Sequence, residues 1–447
     1  MKQYVVFPWF VMLVFGLLAA SDVSLGYAAS SNRLASKTSR KSVPLPSLSL
    51  YGEGALQVTS LLQKASKHNP TLVRLRQLVN VYKQKEKQEG AWPDLQVGVQ
   101  MSNFPLPTLN PTLSAMSGIH YTLSQRFPIV RRLGLQRKMV SLTTAMLKED
   151  VKEKIVWVRF RVREIVLQLS YYREVLRTDK ELYAFAGQVA AVARSKYAVG
   201  KARQQAYLQA WTLQAQIRNR MFGVLAKERV LRHRLARLIG SSTMIKGQAS
   251  LWPKPSLSFD LSHLLKRALQ ARGIFLRWKV AAQQSRTLLA LARVKYWPDV
   301  TLQLGVRQRF PNPLDQGNPF LTLGVKVALP TGGNSARYGL LQEAMARHQL
   351  AVRRQRETKR QIQESLQVEV TKVRQYSKQI LLFQSQVVPL ALQTYQSTLA
   401  SYQVDRVDFF TLLSNLQTLY KVKLRWASLR VQRSIAIARI RAISGAF

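Results

Sequence analysis

The longest stretch of this chain without proline sets the strongest limit on its fold. No proline lies between Pro128 and Pro253, and apolar residues recur in this stretch at steps of three and four, starting from Leu135 and Met139. That spacing is typical of a helix in coiled-coil contact. A helix over about 132–197 would be roughly 100 Å long at 1.5 Å per residue. Such a helix is too long for a compact domain, so the sequence predicts an extended coiled coil.

A glycine marks the end of this predicted helix. Gly200 stands where the periodic pattern stops, and glycine adopts the left-handed backbone conformation of a tight turn without steric cost. A return helix is predicted from about 202 to Ile239, because Gly240 then ends the pattern. The two helices would form an antiparallel pair with a turn at its tip.

Two stretches that begin with Trp-Pro-Asp, at 92–94 and 297–299, break the helical pattern. Proline disfavours helix in the residue before it, and the runs that follow alternate apolar and polar residues, as in a strand with two unlike faces. Each run continues through a proline-containing loop into a second alternating run. The sequence therefore predicts hairpins over 94–127 and 299–329, with strands of about 9–11 residues, a length suited to a tilted membrane crossing.

The order of a helix, a hairpin, a long helix and a return helix occurs twice along the chain. We predict a first repeat over 56–240 and a second over 259–447, joined by a linker over 241–258. Pro389 is expected to kink the long helix of the second repeat, because proline removes one helical hydrogen bond. The predicted fold class is mostly α with a small β part.

The start of the chain resembles an export signal. Lys2 precedes an apolar run over 5–20, and the small residues that follow offer a cleavage site near Ala28. We predict a signal peptide over 1–28, with an uncleaved membrane anchor as the alternative, and a flexible segment over 29–55. No other apolar run of about 18 residues occurs, so no further membrane-crossing helix is expected.

The alternating strands leave two interpretations open. An apolar face towards lipid and a polar face towards water would suit a membrane, but a soluble four-stranded sheet covered on one face by helices would show the same pattern. Four strands cannot form an open sheet in a bilayer, because edge N–H and C=O groups find no water there. A membrane sheet would therefore need several chains to close a barrel of about eight strands or more.

The chain is strongly basic, with 68 Lys and Arg residues against 22 Asp and Glu residues and a formal charge of +46. This charge would suit a pore that favours anions, a docking face for an acidic partner, an acidic medium, or a solvated exterior near anionic lipid head groups. A basic coiled-coil protein that binds nucleic acid or other polyanions is the alternative from a different class. The even spread of basic residues along the chain argues against that alternative.

No group of residues in the sequence suggests catalysis. The chain contains no cysteine, and its five histidines show no metal-ligand spacing. It also contains no phosphate-loop or dinucleotide-binding motif. We therefore predict that the protein is not an enzyme and holds no metal ion and no cofactor. The histidines are His68, His120, His233, His263 and His348.

Taken together, these features resemble the TolC-like outer membrane efflux proteins, also called outer membrane factors. Besides the two Trp-Pro-Asp hairpins, the resemblance lies in Ser-Gln-Arg-Phe-Pro at 124–128, Gly-Gly at 332–333 and the helical turns at 194–201 and 401–409. It extends over roughly 55–445. The first hairpin looks most like that of the heavy-metal (CzcC-like) branch.

The resemblance implies a homotrimer in the outer membrane of a Gram-negative type cell envelope. Each chain would give four strands to a twelve-stranded barrel in contact with outer membrane lipid, and its helices would form a periplasmic tunnel. The tips would meet a periplasmic adaptor protein and, through it, an inner-membrane pump of the RND type; no nucleic acid partner is expected.

Asp405 stands where the family usually has glycine, which puts the geometry of that turn and adaptor docking there in question. The chain also lacks the N-terminal cysteine of lipid-anchored members.

Two sets of residues would serve this function. Those expected at the adaptor-docking tips are Tyr197, Val199, Gly200, Lys201, Tyr402, Asp405 and Asp408. Those expected to line the barrel lumen are Gln96, Gln100, Thr122, Gln303, Arg307 and Lys326. For the two aspartates, capping of the returning helix is the alternative role.

The resemblance predicts an outer membrane channel of a tripartite efflux system. The channel would be a passive exit duct, and a partner pump would drive the movement of substrate. Heavy-metal cations are the candidate cargo, because of the form of the first hairpin. Drug efflux and type I protein secretion are the alternatives.

A charged side chain on the predicted lipid face should impair membrane assembly more than the same side chain on the polar face. We expect Val97→Arg or Leu302→Arg to deplete the protein from the outer membrane fraction, because an arginine in the hydrocarbon layer costs about 2–4 kcal/mol. Gln96→Arg and Gln303→Arg are the matched controls. Equal tolerance at all four positions would contradict a membrane location for the strands.

Overall fold

The structure is a computed structural model, and the residues that it describes are 55–106, 108–128, 131–201, 203–249, 260–313, 315–329 and 332–445. All of them belong to the unit that spans residues 46–447. The predicted signal peptide, nearly all of the predicted flexible segment and the last part of the predicted linker lie outside the described residues. The division into repeats at 56–240 and 259–447 stays a prediction.

Nine α-helices make up most of the described chain. A pair of short helices precedes each pair of strands, and a long helix with a return helix follows it. The predicted fold class, mostly α with a small β part, is therefore confirmed. The helices are α1 (Val58–His68), α2 (Pro70–Gln88), α3 (Arg132–Ala198), α4 (Gln204–Ile239), α5 (Leu261–Ala271), α6 (Gly273–Val294), α7 (Asn334–Leu382), α8 (Val388–Gln403) and α9 (Phe409–Ile443).

The helix of roughly 100 Å predicted over 132–197 is α3. It contains 67 residues, which at 1.5 Å per residue gives about 100 Å. Its return helix α4 ends where Gly240 takes the left-handed conformation, with φ of 76°. The proline-free sequence thus forms one uninterrupted helix and its antiparallel partner.

The break in the second long helix begins ahead of Pro389 and not at the proline itself. A π-helical turn over Phe383–Val387 separates α7 from α8, and Pro389 lies in the first turn of α8. A proline ring clashes with the carbonyl group four residues earlier, which here belongs to Ser385. The wider π turn gives that carbonyl room, and the kink itself stays a prediction.

The four strands form one antiparallel sheet in the order of the chain. The second strand pairs with the third, so the two hairpins are joined; Leu123, for example, lies opposite Leu304. The strands are β1 (Gln96–Ser102), β2 (Gly118–Phe127), β3 (Asp299–Arg309) and β4 (Phe320–Ala328).

Strand β1 is shorter than predicted, with seven residues instead of about 9–11. Asn103, which follows it, has a φ of 56°, and this left-handed conformation turns the chain out of the strand. Asn tolerates that conformation better than most residues because its short polar side chain bonds locally. Here Asn103 Nδ2 donates to the Met116 carbonyl oxygen at 3.3 Å.

The helices pack through several buried apolar clusters, and α3 contributes to three of them. Towards its C-terminal end, α3 packs on α4, α8 and α9 through residues such as Leu176, Met221 and Leu416. Nearer its middle it packs on α1, α2 and α4 through Leu169 and Leu235. Because β2 leads into the start of α3 and the turn follows its end, the sheet and the tip lie at opposite ends of one helix.

A buried carboxylate ties three helices together near the tip. Asp179 of α3 is fully buried and accepts hydrogen bonds from Arg220 of α4 at 2.9 Å and from the Tyr420 hydroxyl of α9 at 2.8 Å. Burial, followed by the bond to Asp179, raises the pKa of the Tyr420 hydroxyl. The cluster therefore satisfies one carboxylate oxygen, Oδ1, inside an apolar coiled coil, whereas the buried Oδ2 accepts no hydrogen bond from the described residues.

Candidate functional site

One face of the sheet is polar along all four strands. Residues directly opposite each other in an antiparallel sheet share a face, and Gln96, Ser124 and Gln303 lie in one row that ends at Gly324. The residues predicted for the barrel lumen all lie on this face. They are Gln96, Gln100, Thr122, Gln303, Arg307 and Lys326.

The opposite face of the sheet is apolar and exposed. One row crosses the four strands through Val97, Leu123, Leu304 and Leu323. Val97 is 75% exposed and Leu323 is 77% exposed, so no described helix covers this row. The soluble alternative, in which helices bury one face, is therefore wrong for the described chain.

A polar residue on the apolar face is satisfied by the backbone. Gln125 points to the same side as Leu123, but its Nε2 donates to the carbonyl oxygens of Pro93 at 2.9 Å and Arg126 at 3.2 Å. A side-chain amide without such partners would be costly in an apolar surrounding. Gln125 also fixes the Trp-Pro-Asp entry of β1 against the exit of β2.

Aromatic side chains stand at both ends of the strands. At the helix end, the Trp92 ring contacts that of Phe127 with centroids 6.0 Å apart, and Trp297 is exposed. At the far end, Phe104 contacts Phe310 at the same centroid distance. Two aromatic girdles that flank an apolar band are typical of membrane β-structure. The sequence prediction missed these residues, although aromatics next to each alternating run were a usable signal.

An ionic cluster joins the sheet to the long helix at the second Trp-Pro-Asp sequence. Asp299 accepts from Arg132 at 2.8 and 3.0 Å and also pairs with Arg126. Arg126 lies on β2 and Arg132 begins α3, so one carboxylate holds a strand end and a helix start. Among the described residues, Asp94 of the first Trp-Pro-Asp sequence forms no such ion pair.

The polar face carries a net positive charge. Asp299 is the one acidic residue on the polar sides of the four strands, and Arg126 and Arg132 already neutralise it. Within the described chain, Arg307 and Lys326 form no ion pair. Arg307 and Lys326 therefore each add a positive charge without an ionic partner to this face, and the cluster of Arg126, Arg132 and Asp299 has a net charge of +1.

The two helical tips have the same hydrogen-bond pattern. In the first, Gly200 N donates to the Tyr197 carbonyl oxygen at 3.0 Å and Lys201 N to that of Lys196 at 2.8 Å. In the second, Asp405 N donates to Tyr402 at 3.3 Å and Arg406 N to Ser401 at 3.0 Å. Both are Schellman turns, which need a left-handed residue just after the helix.

Asp405 takes the left-handed position of the second turn, with φ of 61° against 72° for Gly200. The replacement of glycine by aspartate therefore leaves the geometry of the turn intact. Asp and Asn enter this conformation more readily than other residues with a side chain, because they bond locally. The φ of Asp405 therefore shows that the aspartate does not alter this turn.

The two tips touch through Lys196, which the sequence prediction did not include among the site residues. Its Nζ donates to the Tyr402 carbonyl oxygen at 2.6 Å, pairs with the Asp405 carboxylate and lies 4.8 Å from the Tyr402 ring centroid. The hydrogen bond from Lys196 lowers the pKa of the Asp405 carboxyl below its ordinary value. Sequence spacing gave no signal for this contact, since 209 positions separate the two residues.

The two predicted tip aspartates have different roles. Asp408 is the N-cap of α9: its carboxylate accepts from Phe410 N at 3.1 Å and from the Thr411 hydroxyl. The bond from Thr411 lowers the pKa of the Asp408 carboxyl. The capping alternative thus describes Asp408, whereas Asp405 contacts the other tip and caps no helix.

An open groove of about 500 Å³ lies between the start of α4 and the start of α9. Of the predicted tip residues, Lys201, Tyr402, Asp405 and Asp408 line it. The ring of Tyr402 is nevertheless buried in the coiled-coil core. Tyr197 and Val199 are exposed outside the groove, and Gly200 shapes the turn beside it. Arg203 and Phe410, which the prediction omitted, also line the groove.

None of the helices in the described part of the chain is both long enough and apolar enough to cross a membrane. Comparison of the sequence alone found no matching family model and no matching curated protein. Comparison of the structure did find matches among solved proteins.

Three of these proteins show how far the similarity extends. The outer-membrane channel OprN matches with a TM-score of 0.74 at 12% identity, over 87% of this chain and 90% of that one. The outer membrane protein VceC from Vibrio cholerae matches with a TM-score of 0.72 at 16% identity, over 87% and 96%. CusC matches with a TM-score of 0.72 at 16% identity, over 92% and 99%. The chain has a TolC-like fold.

The TolC-like fold confirms at the level of architecture what the sequence motifs predicted. Nearly the whole length of each solved chain is matched, so the sheet, the long helices and the tips all have counterparts there. The heavy-metal branch is not singled out, because the TM-score of CusC is no higher than those of OprN and VceC.

The contact between the tips of this TolC-like fold should depend on pH through Asp405. Its lowered pKa means that the ion pair with Lys196 is complete above the ordinary carboxyl pKa of about 3.9 and is lost as pH falls through the lower folded value, whereas the hydrogen bond from Lys196 to the Tyr402 carbonyl oxygen stays. We expect the distance between spin labels at Val199→Cys and Val404→Cys, measured by pulsed electron resonance, to be narrow at neutral pH and broad in strong acid. Since the chain has no cysteine, the labels report only these two sites.

Asp405→Asn should show the broad distance distribution at every pH, because asparagine keeps the left-handed turn but cannot form the ion pair. Asp408→Asn is the matched control, since asparagine also caps helices well and Asp408 does not contact Lys196. A narrow distribution in Asp405→Asn would show that the ion pair between Lys196 and Asp405 does not hold the tips together.

Proposed function

We propose that this chain is the outer membrane channel of a tripartite efflux system in a Gram-negative type cell envelope. The observation that carries the proposal is the sheet, which has an exposed apolar face, an opposite polar face and aromatic residues at both ends. Such a sheet suits the wall of a barrel between lipid and water. The chain would be a passive exit duct, and a partner pump would drive substrate through it.

A homotrimer fits the number of strands. Known barrels have about eight strands or more, and each chain supplies four. Three copies would give a twelve-stranded barrel whose apolar face meets outer membrane lipid. The polar face, with Gln96, Gln100, Thr122, Gln303, Arg307 and Lys326, would then line the lumen.

The tips offer a surface for a periplasmic adaptor protein. Val199, Val404 and Phe410 are exposed apolar side chains there, and the basic residues Lys201 and Arg203 lie beside them in the groove. An apolar contact with a basic rim suits a partner with an apolar centre and acidic side chains around it. Through this adaptor the duct would meet an inner-membrane pump, which we propose to be of the RND type.

Two cargo classes are supported by different observations. The first hairpin resembles the heavy-metal branch, which favours metal cations. The uncompensated charges of Arg307 and Lys326 favour anions in the lumen instead, because a narrow channel lined by one sign of charge attracts counter-ions. Metal ions in anionic complexes would satisfy both observations, whereas other anionic compounds would satisfy only the second.

Loss of the gene should sensitise the cell to the cargo. We expect a deletion strain to have lower inhibitory concentrations for copper, zinc, cobalt or cadmium salts, or for a set of anionic drugs, and the intact gene to restore them. Cell fractionation of the complemented strain should recover the protein as an oligomer in outer membranes. Recovery as a soluble monomer that binds nucleic acid would contradict the proposal and favour the polyanion-binding alternative.

The ion selectivity of the purified oligomer should follow the charge of the polar face. In planar bilayers under a salt gradient we expect a reversal potential that indicates preference for chloride, and Arg307→Gln with Lys326→Gln should reduce it. Arg307→Lys with Lys326→Arg keeps the charge and should leave the potential unchanged. A cation-selective wild-type channel would contradict the anion interpretation.

A further inference from the structure

The outer edges of the sheet are formed by β1 and β4, and within the described chain neither has a partner on its outer side. Both strands continue the polar and apolar faces of the sheet to the edge, through Gln100 and Val97 on β1 and Lys326 and Leu323 on β4. An unpaired strand edge in a bilayer leaves backbone N–H and C=O groups without hydrogen bonds. The edges therefore need a partner that is itself a strand.

The internal duplication supplies the register of that pairing. Equivalent positions of β1 and β3 differ by 205, as Trp92 and Trp297 do. Equivalent positions of β2 and β4 differ by 202, as the first residues of α3 and α7, Arg132 and Asn334, do.

The two shifts can be checked inside the chain. Val97 and Leu123 are an observed pair. Adding 205 to the first position and 202 to the second gives Leu302 and Val325, which are also an observed pair. This agreement confirms the sum of the two shifts; their difference, which sets the register between copies, rests on the equivalence of Trp92 with Trp297 and of Arg132 with Asn334.

We propose that β4 of one copy pairs antiparallel with β1 of a second copy of this chain. The register follows from the observed β2–β3 pairing: adding 202 to a β2 position gives the β4 residue, and subtracting 205 from its β3 partner gives the β1 residue. The observed pair Thr122–Gly305 then becomes Gly324 opposite Gln100 of the neighbouring copy. The pair His120–Arg307 becomes Thr322 opposite Ser102. This inference rests on the proposed oligomeric channel and specifies how its subunits join.

The faces of the two strands agree with this register. It sets Val325 opposite Val99 and Val327 opposite Val97, so the apolar face continues across the joint. A shift of one residue would place every apolar side chain opposite a polar one.

Side-chain size favours the same register. It sets Lys326 opposite Gly98 and Gln100 opposite Gly324, so each long polar side chain faces a glycine. The intrachain pairs Gln303–Gly324 and Thr122–Gly305 show the same arrangement. A shift of two residues in one direction would set Lys326 opposite Gln100, and in the other it would set the two glycines opposite each other.

The register also gives a strand tilt typical of closed barrels. A row that starts at Val97 passes Leu123, Leu304 and Leu323 and reaches Met101 of the next copy, a displacement of four residues. Four residues at about 3.3 Å along the strands, over four spacings of about 4.8 Å, correspond to a tilt of about 35°. This tilt lies within the range of about 35–45° found in closed barrels.

Cysteine pairs can test the register, because the natural chain contains no cysteine. Two variants place cysteines on predicted partners: Gly324→Cys with Gln100→Cys, and Thr322→Cys with Ser102→Cys. Two control variants exchange the partners: Gly324→Cys with Ser102→Cys, and Thr322→Cys with Gln100→Cys. A Cβ at position 324 would meet its nearest neighbour, the Gln303 side chain, at 3.6 Å, an ordinary contact. All four positions lie on the polar face, where an aqueous oxidant can reach them.

Oxidation in isolated membranes should convert the two matched variants into covalent dimers and trimers on a non-reducing gel. The exchanged variants should remain monomers on that gel, because diagonal neighbours are about 7–8 Å apart. That separation exceeds what a disulfide spans, which is about 4.4–6.8 Å between Cα atoms. Gln303→Cys with Gly324→Cys, an observed pair within one chain and on the polar face, should form a disulfide without any increase in mass.

The outcomes separate the register from the proposed function. Covalent oligomers from the exchanged variants, or from none of the four while the native protein still runs as a membrane oligomer, would overturn the register and leave the channel proposal standing. A monomer without cross-links in native membranes would overturn both. Cross-links in the matched variants alone are the result that we expect.

Discussion

The backbone hydrogen bonds at the two sheet edges are the requirement on which the rest of this structure depends. A bilayer offers no water to an unpaired N–H or C=O group, and one chain has four strands with an open edge at β1 and at β4. A single chain therefore cannot satisfy its own backbone in a membrane. A membrane location would therefore require neighbouring copies, and the apolar row through Val97 and Leu323 would meet lipid in the proposed barrel.

Much of this architecture could be predicted from the sequence, because its signals are local and repeated. Period-two alternation fixed the faces of the strands, and the absence of proline together with Gly200 and Gly240 fixed α3 and α4. The end of β1 was misjudged, since the left-handed turn at Asn103 depends on a loop contact with Met116. The π turn ahead of Pro389 was also missed, because a proline indicates strain in a helix without indicating how the helix relieves it.

The tips show a different limit of sequence reasoning. Gly200 and Asp405 occupy matching left-handed positions, yet the sequence could only mark the aspartate as a departure from the family pattern. Its partner, Lys196, lies at the end of α3, in the other helical tip and far away along the chain. The aspartate thus keeps the turn that a glycine would allow, and it adds an ion pair between the two helical tips that a glycine could not make.

The ionic cluster at Asp299 has a consequence for the order of assembly. It fastens β2, β3 and the start of α3 within one chain, so each copy can bring four strands to the membrane already in register. By the shifts of 205 and 202 between the predicted repeats, the equivalent joint between the proposed copies would set Asp94 near Ala328 and Asn334, where no arginine replaces Arg126 or Arg132. Ion pairs stabilise the joint inside the chain, whereas the proposed joint between chains would rely on backbone pairing and apolar contact. Folding of the monomer sheet would therefore come first, and ring closure would be the later step, governed by the concentration of chains in the membrane.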